Sequence, residues 1–291
     1  MNAFTIKDLE TISGIKAHTI RIWEQRYGFL KPRRSDTNIR YYCNEELKTI
    51  LNIALLNKHG FKISQIDRMK PSEICNKILE LRTSEAMHDR VVNDLIKDMV
   101  DLEIYQFECT LNTFIKEHGI EETVTGIIFP FLEKIGILWQ TGHIMPAQEH
   151  FVSSVIRQKL IVAIDQVPAS GNGKSCLLFL PEGEHHELGL LFLHYLLKTR
   201  NARVIYLGAN VPIHDVESII VALKPEMAFI HLTGTCPNFN FEKLLKFLEE
   251  KTGDITTVIS GYPTHCCNKA LPASIQFKRS FSEMKNYLLT L

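Results

Sequence analysis

The sequence contains no run of about 18 apolar residues, and this absence excludes a membrane-spanning helix. The first ten residues include acidic side chains and no apolar core, so we expect no secretory signal and a cytoplasmic location. The seven cysteines form no CxxC pair and no metal-like Cys/His spacing, and the adjacent Cys266 and Cys267 do not make a disulfide framework. We therefore expect reduced thiols.

The net charge of zero conceals an uneven distribution along the chain. Residues 1–70 hold 13 Lys/Arg and seven Asp/Glu, a net charge of +6, so the rest of the chain carries −6. A basic head on an acidic body is typical of a polyanion-binding module joined to a second function. The length of 291 residues predicts two or three domains.

Three different patterns divide the chain into three predicted domains. Residues 1–72 show short helices with a basic, turn-rich insert, residues 76–167 are helical throughout, and residues 175–291 alternate short β-branched runs with helical stretches. A polar, Gly-containing linker is predicted at 168–174, and a softer junction near Pro71.

The alternation in the last domain predicts a doubly wound, parallel α/β sheet of the Rossmann-like kind. The predicted strands are 175–180, 202–207, 225–232, 255–259 and, more weakly, 274–277. The predicted helices between them are 188–199, 213–223 and 241–251.

The basic head begins with two predicted helices, the first N-capped at Thr5 and ended by Gly14, the second spanning residues 17–27. On a helical wheel, one face of the second helix carries Ile20, Trp23 and Tyr27, and the opposite face carries His18, Arg21 and Gln25. The apolar face is expected to pack inward, which leaves the polar face free to enter a major groove.

The segment KPRRSDTNIRYY at residues 31–42 follows as a basic, hairpin-like stretch with aromatic residues. Its guanidinium groups are suited to phosphates. Charge alone also fits a solvated face on a small helical domain, and we keep that alternative open.

The ordered string TIKDLE…SGIKAHTIRIWEQRYGFLKPRRSDTNIRYY resembles the DNA-binding head of the MerR family over roughly 70 residues, and its core IRxWExRYG is specific. The resemblance implies a winged helix-turn-helix that binds an inverted repeat as a dimer. The implied DNA contacts are Thr19, Arg21, Arg26 and Tyr27 on the helix, and Arg33, Arg34, Asn38, Arg40 and Tyr41 on the wing. Helices at 45–58 and 63–69 would complete the head. Cys43 and Cys75 do not supply the cysteines of a metal sensor.

Polar residues follow three predicted strands of the last domain, at 181–189, 233–235 and 260–263. The carboxyl ends of parallel strands meet at one rim, where open α/β sheets bind ligands. No G-x-G-x-x-G follows the first strand, which disfavours a dinucleotide.

The segment Glu184-x-His186-x-x-Gly189 resembles the D-x-H-x-x-G loop of cobalamin-binding domains, with Glu in place of Asp. The resemblance implies that His186 is the lower axial ligand of cobalt and that Glu184 bonds its other ring nitrogen. The family's later elements have loose counterparts near the nucleotide tail, at Thr233, Ser260 and Gly261. The alternative is that His185 and His186 are ordinary surface histidines.

In the helical middle domain, Trp139 is followed ten residues later by Glu149-His150. This spacing resembles the four-helix cap of MerR-type cobalamin photoreceptors, where these residues cover the upper, adenosyl-bearing face of the corrin. The photoreceptors carry a histidine directly after the tryptophan, whereas this chain has Gln140, a poor cobalt ligand. His143 is a candidate substitute.

These observations predict a DNA-binding repressor and not an enzyme. Adenosylcobalamin, and with it light, would control a homo-oligomer, a dimer or tetramer, on double-stranded operator DNA. One alternative is the same fold controlled by a partner protein without cobalamin. Another is a corrinoid methyl-carrier subunit, which the DNA-binding head and the lack of a nucleophile–base set disfavour.

Overall fold

A computed structural model of the chain describes residues 3–36, 38–140, 142, 144–168, 172–234, 239–253, 255–267 and 271–291, with the side chains of Ile137 and Gln140 left out. The chain divides into two compact units, Met1–Val155 and Ile156–Leu291. Across the described residues, no helix combines the length and the apolar run needed to cross a bilayer.

The first unit begins with short helices and a two-stranded wing. Its elements are α1 (Ile6–Ser13), α2 (Ala17–Arg26), β1 (Arg33–Arg34), β2 (Arg40–Tyr41), α3 (Asn44–Lys58), α4 (Ile63–Ile66) and α5 (Pro71–Glu80). Thr5 and Asp8 form the capping box that starts α1, and Gly14 ends the helix with a left-handed φ of 73°. The predicted start and end of α1 are confirmed, and α2 ends one residue earlier than predicted.

Four longer helices follow, in the region predicted to be helical throughout. They are α6 (Ser84–Asp101), α7 (Ile104–Thr123), α8 (Phe129–Gln140) and α9 (Pro146–Gln166), and a π-helical turn at Val124–Ile128 joins α7 to α8. Pro71, where the sequence indicated a soft junction, is the first residue of α5. Leu95 of α6 and Phe107 and Leu111 of α7 are fully buried.

The second unit contains a five-stranded sheet with helices between the strands. Its elements are β3 (Ser175–Pro181), α10 (Leu188–Lys198), β4 (Arg203–Val211), α11 (Ile213–Leu223), β5 (Met227–Leu232), α12 (Phe241–Lys251), β6 (Thr256–Gly261), α13 (Pro263–Cys266), β7 (Ile275–Lys278) and α14 (Phe281–Leu288). All neighbouring strands are parallel, and their order is β4-β3-β5-β6-β7. The prediction of a doubly wound parallel sheet is confirmed.

The strand order creates a switch point beside β3. From β3 the chain first moves outward to β4 on one side and then returns to β5 on the other. Every residue of β3 is buried, as expected for a central strand covered on both faces. A ligand of such a sheet binds outside the carboxyl ends of the strands at this point, and the Glu184–His186 loop follows β3 there.

Candidate functional site

The second helix of the head separates an inward face from a solvent face. Ile20 and Trp23 are buried, and the ring of Phe29 packs edge-on against Trp23. The predicted division of the helix is therefore confirmed. Among its predicted DNA contacts, Arg21 and Arg26 are exposed, whereas Thr19 and Tyr27 are partly buried.

The wing is a tight antiparallel hairpin. Arg33 pairs with Tyr41 and Arg34 with Arg40 across the two strands, and Asn38 takes a left-handed φ of 64° in the turn. Arg34 Nη1 donates to Asn38 Oδ1 at 2.6 Å, so these two predicted DNA contacts support each other. Thr37 lies outside the described residues.

A carboxylate that the sequence analysis did not single out joins the wing to the helix. Glu24 on α2 forms an ion pair with Arg40 Nε at 3.2 Å and accepts a hydrogen bond from the hydroxyl of Tyr42. Burial, followed by this hydrogen bond, raises the pKa of Tyr42. Arg40, predicted as a DNA contact, is thus engaged within the head and partly buried, whereas Arg33 and Arg34 of the wing are exposed.

The beginning of α9 carries the predicted cap residues Glu149 and His150. His150 is exposed, and its Nδ1 lies 3.4 Å from Glu149 Oε2. The fully buried Gln148 anchors this helix end, because its amide donates to two backbone carbonyl oxygens at the end of α6 and accepts from the N–H of Met145. Sequence analysis missed Gln148, since an amide beside Glu149-His150 shows no sign of burial.

Trp139, the third predicted cap residue, is a tryptophan with 42% of its surface exposed. The side chain of Gln140 and the whole of His143 lie outside the described residues.

The loop after β3 forms a polar cluster with several hydrogen bonds. Glu184 is completely buried, and its Oε1 accepts hydrogen bonds from the backbone N–H of His186 at 3.0 Å and from His186 Nδ1 at 2.7 Å. Its Oε2 accepts from the backbone N–H and the hydroxyl of Thr233, at 3.1 and 3.0 Å. The structure thus brings together three of the predicted residues, Glu184, His186 and Thr233.

These hydrogen bonds fix the protonation of the cluster. Burial raises the pKa of Glu184, but the bonds from His186 and Thr233 outweigh burial and bring the pKa to about 2. A carboxylate at Nδ1 favours the imidazole tautomer with its proton on Nδ1 and its lone pair on Nε2. The side chain of His186 is 43% exposed. It is therefore a solvent-accessible imidazole whose orientation and tautomer are set by Glu184.

A second histidine, His231 at the end of β5, connects the remaining predicted residues of the rim. Its Nδ1 lies 2.9 Å from Ser260 Oγ, and a Cβ on Gly189 would come within 2.2 Å of its ring. Burial lowers the pKa of His231, and the charge of Glu184 only partly opposes this. Gly261 has a φ of 101°, and a Cβ there would collide with the carbonyl oxygen of Leu232.

Glu187 provides a second carboxylate in the same loop. It accepts a hydrogen bond from the hydroxyl of Tyr206 at 2.8 Å and pairs with Arg157 of α9. Sequence analysis missed both Glu187 and His231. A histidine within the otherwise apolar strand Met227–Leu232 was the available signal for His231. The partners of Glu187 lie 19 and 30 positions away in the chain, so no pattern of neighbouring residues predicts these contacts. Thr235, part of a predicted polar turn, lies outside the described residues.

The donor set indicates which kind of metal the cluster could hold. Among the described residues, no three His, Cys, Asp or Glu side chains converge on one point. One imidazole oriented by a carboxylate cannot complete the coordination of a bare ion, but it suits a metal that brings its own macrocycle. The residues present therefore fit an axial ligand to a metal held in a macrocycle.

Comparison with known families assigns two regions of the chain. Residues 4–73 match the MerR HTH family of regulatory proteins. Residues 91–163, which contain most of the four long helices, match a B12 binding domain. The chain thus carries a MerR-type HTH domain followed by a B12-binding domain.

Similarity to whole proteins extends over most of the chain. It is 27% identical over 258 residues to the HTH-type transcriptional repressor CarA of Myxococcus xanthus, covering 88% of this chain and 85% of CarA. It is 25% identical over 245 residues to CarH of the same organism, covering 82% of each protein. The chain is thus homologous to CarA and CarH.

A solved structure shares the fold. The monomethylamine corrinoid protein of Methanosarcina barkeri superimposes with a TM-score of 0.56 at 12% identity, covering 70% of this chain and all of that protein. The helical region and parallel sheet therefore have the architecture of that corrinoid protein.

Proposed function

We propose that the chain represses transcription by binding operator DNA as a homo-oligomer, and that a corrinoid held through His186 controls this binding. The observation that carries the proposal is the buried Glu184, which orients an exposed His186 at the switch point of the sheet. The MerR-type head on the same chain supports the DNA-binding part. The relatives CarA and CarH are named transcriptional repressors, which supports regulation rather than an enzymatic role.

Several residues of the sheet domain would hold the corrinoid, each in a different way. His186 would coordinate through Nε2, Glu184 would hold the imidazole in place, and Thr233 would hold Glu184. We assign Gly189, Ser260 and Gly261 to the same rim, where Gly189 leaves room for the ring of His231 and Ser260 bonds that ring. When bound, a corrinoid supplies a cobalt centre whose upper ligand can be exchanged.

We assign the upper face to Trp139, Glu149 and His150, with adenosylcobalamin as the form bound and light as a candidate signal. The exposed Trp139 and the anchored start of α9 support this assignment. In the head, DNA would meet the exposed residues Arg21, Arg26, Arg33, Arg34 and Asn38 and the partly buried Thr19, Tyr27 and Tyr41. Arg40 would hold the wing against α2 through Glu24. Control requires that the ligand bind the DNA-bound and free assemblies with different affinities.

The test is direct binding in the dark. The purified chain is mixed with adenosylcobalamin, desalted, and its absorption spectrum recorded, with His186→Ala as the variant and His185→Ala as the matched control. His185 is the adjacent, exposed histidine. We expect the wild type and His185→Ala to retain the chromophore, and His186→Ala to lose the spectral signature of histidine ligation and to bind at least 10-fold more weakly.

The same samples distinguish the finer parts of the proposal. Gel filtration before and after illumination shows whether light changes the assembly, and retention of the chromophore without a change in size would remove light as the signal. A wild-type chain that stays colourless overturns the corrinoid proposal. If, in addition, the His186→Ala variant regulates its operator normally, control by a partner protein becomes the better explanation.

A further inference from the structure

A cleft of about 420 Å³ opens within the first unit, outside the residues assigned above to DNA or corrinoid. It lies among α1, the turn between α1 and α2, and helices α3, α6 and α8. Its apolar wall is formed by Ile12, Ile15, Leu51, Ala54 and Leu55. Volumes of this size are typical of sites for small organic molecules.

Lys134 of α8 provides a positive charge at the cleft. It is partly buried, and it makes no hydrogen bond or ion pair with any described residue. Burial lowers the pKa of Lys134, an effect that Asp89 partly opposes and Lys58 reinforces. A cation removed from water without a partner is destabilising, so an anion at this position would be stabilised.

The other charges at the cleft are already paired. Lys58 Nζ lies 2.6 Å from Asp89 Oδ2 and 2.8 Å from Glu85 Oε1. Asp89 is therefore shared with Lys58 and leaves Lys134 without a close counter-ion. The unmatched charge that a ligand would meet is positive.

Asn93 of α6 supplies an unused hydrogen-bond acceptor. The residue is 5% exposed, and its Nδ2 donates weakly to the carbonyl oxygen of Leu51 at 3.4 Å. No donor within the described part of the chain reaches its buried Oδ1. An unsatisfied buried acceptor is costly, and a ligand with an N–H or O–H group would satisfy it.

We propose that this cleft binds a small organic acid, with its carboxylate on Lys134, one hydrogen-bond donor on Asn93 and an apolar body against Leu51, Ala54 and Leu55. The combination of an unpaired cation, an unsatisfied acceptor and an apolar wall defines this class of ligand. Neither the corrinoid nor DNA is needed for such binding.

The location gives the ligand a consequence for DNA binding. Ser13, Gly14 and Ile15, which line the cleft, form the turn of the helix-turn-helix and lead directly into α2. An occupant that touches this turn would change the freedom of α2 relative to α1. This consequence rests on the proposed DNA-binding function, whereas binding of the acid does not.

The test uses the full chain and isothermal titration calorimetry with three related probes. Indole-3-acetate has the carboxylate, the N–H donor and an apolar ring, indole-3-ethanol lacks the carboxylate, and naphthalene-1-acetate lacks the donor. We expect indole-3-acetate to bind with a Kd below about 1 mM, and each of the other two to bind at least about 10-fold more weakly. Absence of binding by indole-3-acetate, or equal binding of all three, overturns the proposal.

Variants locate the site. Lys134→Met should weaken binding of indole-3-acetate by at least about 10-fold, whereas Lys116→Met, at an exposed position on α7, should leave it unchanged. Ala54→Leu should block the cleft by volume, with thermal melting used to verify that this variant folds. Unchanged affinity in Lys134→Met overturns the proposal. Because the titration contains no DNA or corrinoid, its outcome is independent of the proposed regulatory function.

Discussion

Two buried carboxylates, one in each unit, organise the two surfaces to which function is assigned, but they do so differently. Glu24 in the head forms an ion pair with Arg40 and accepts a hydrogen bond from Tyr42, so the charge of Arg40 is neutralised within the head. Glu184 in the sheet domain bonds Nδ1 of His186 and thereby orients its imidazole ring. The carboxylate of Glu24 holds the wing in place, and the carboxylate of Glu184 fixes the orientation of the His186 ring. A buried acid next to a functional residue therefore does not by itself identify its role.

The substitution Glu184→Gln tests whether the hydrogen bonds of Glu184 stabilise its loop. Each oxygen of Glu184 accepts from two donors, so an amide nitrogen on either side would face donors that it cannot satisfy. We expect the free energy of unfolding of the ligand-free second unit to fall by about 2–3 kcal/mol. Urea denaturation would measure this loss.

Glu182→Gln is the matched control, because Glu182 is an exposed carboxylate in the same loop. It should change stability by no more than about 0.5 kcal/mol. If Glu184→Gln is as stable as this control, the hydrogen bonds of Glu184 do not hold the loop.

Asp98 on α6 is a half-buried acid without such partners. Its Oδ2 receives no hydrogen bond from the described residues, and it lies near the carboxyl end of its helix. Burial, followed by the charge of Asp94, raises its pKa to about 6. Since this exceeds the value of about 3.9 for an unfolded chain, the folded state holds an extra proton between about pH 4 and 6. Stability is therefore lost as the pH rises through that window.

Asp98→Asn should remove this penalty. We expect the variant to be more stable than the wild type by about 1–2 kcal/mol at pH 8, with the difference disappearing near pH 4. Denaturant unfolding at the two pH values tests the sign. An equal effect at both pH values would show that the carboxylate is not ionised against a penalty.

The smallest expected effects are those of two arginine substitutions in the wing, which distinguish a DNA contact, Arg33, from a structural residue, Arg40. Arg33→Gln should leave stability unchanged and reduce the salt dependence of operator binding by about one phosphate contact, because its guanidinium is exposed. Arg40→Gln should lower the free energy of unfolding by about 0.5–1 kcal/mol, since it removes the partner of Glu24. Identical behaviour of the two variants in titrations of operator DNA and in melting experiments would contradict this division.

Local signals predicted most of the architecture. The capped start of α1, its end at Gly14 and the five strands all depend on patterns within a few residues, and the structure has them within a few residues of the predicted positions. The Glu184–His186 pair was also local, because the two residues are two positions apart. The role of Thr233 as the second anchor of Glu184 was not, since it depends on a pairing across 49 positions.

The residues that sequence analysis missed share a physical cause. Glu24, Gln148, Glu187 and His231 are polar side chains whose partners are brought near only by packing. A helical wheel shows which side of α2 is apolar, but it does not show that a glutamate at the edge of that side receives an arginine from the wing. Burial of polar groups follows from tertiary structure and leaves little trace in local periodicity.

The contact between Gly189 and His231 limits how this rim can change during evolution. A single methyl group at position 189 would press on an imidazole that Ser260 already holds in place. Substitution of one position alone is therefore costly, whereas a smaller side chain at position 231 would make room for a larger one at 189. We expect the two positions to covary among relatives, and the ligand-binding rim to diversify by paired replacements rather than by independent steps.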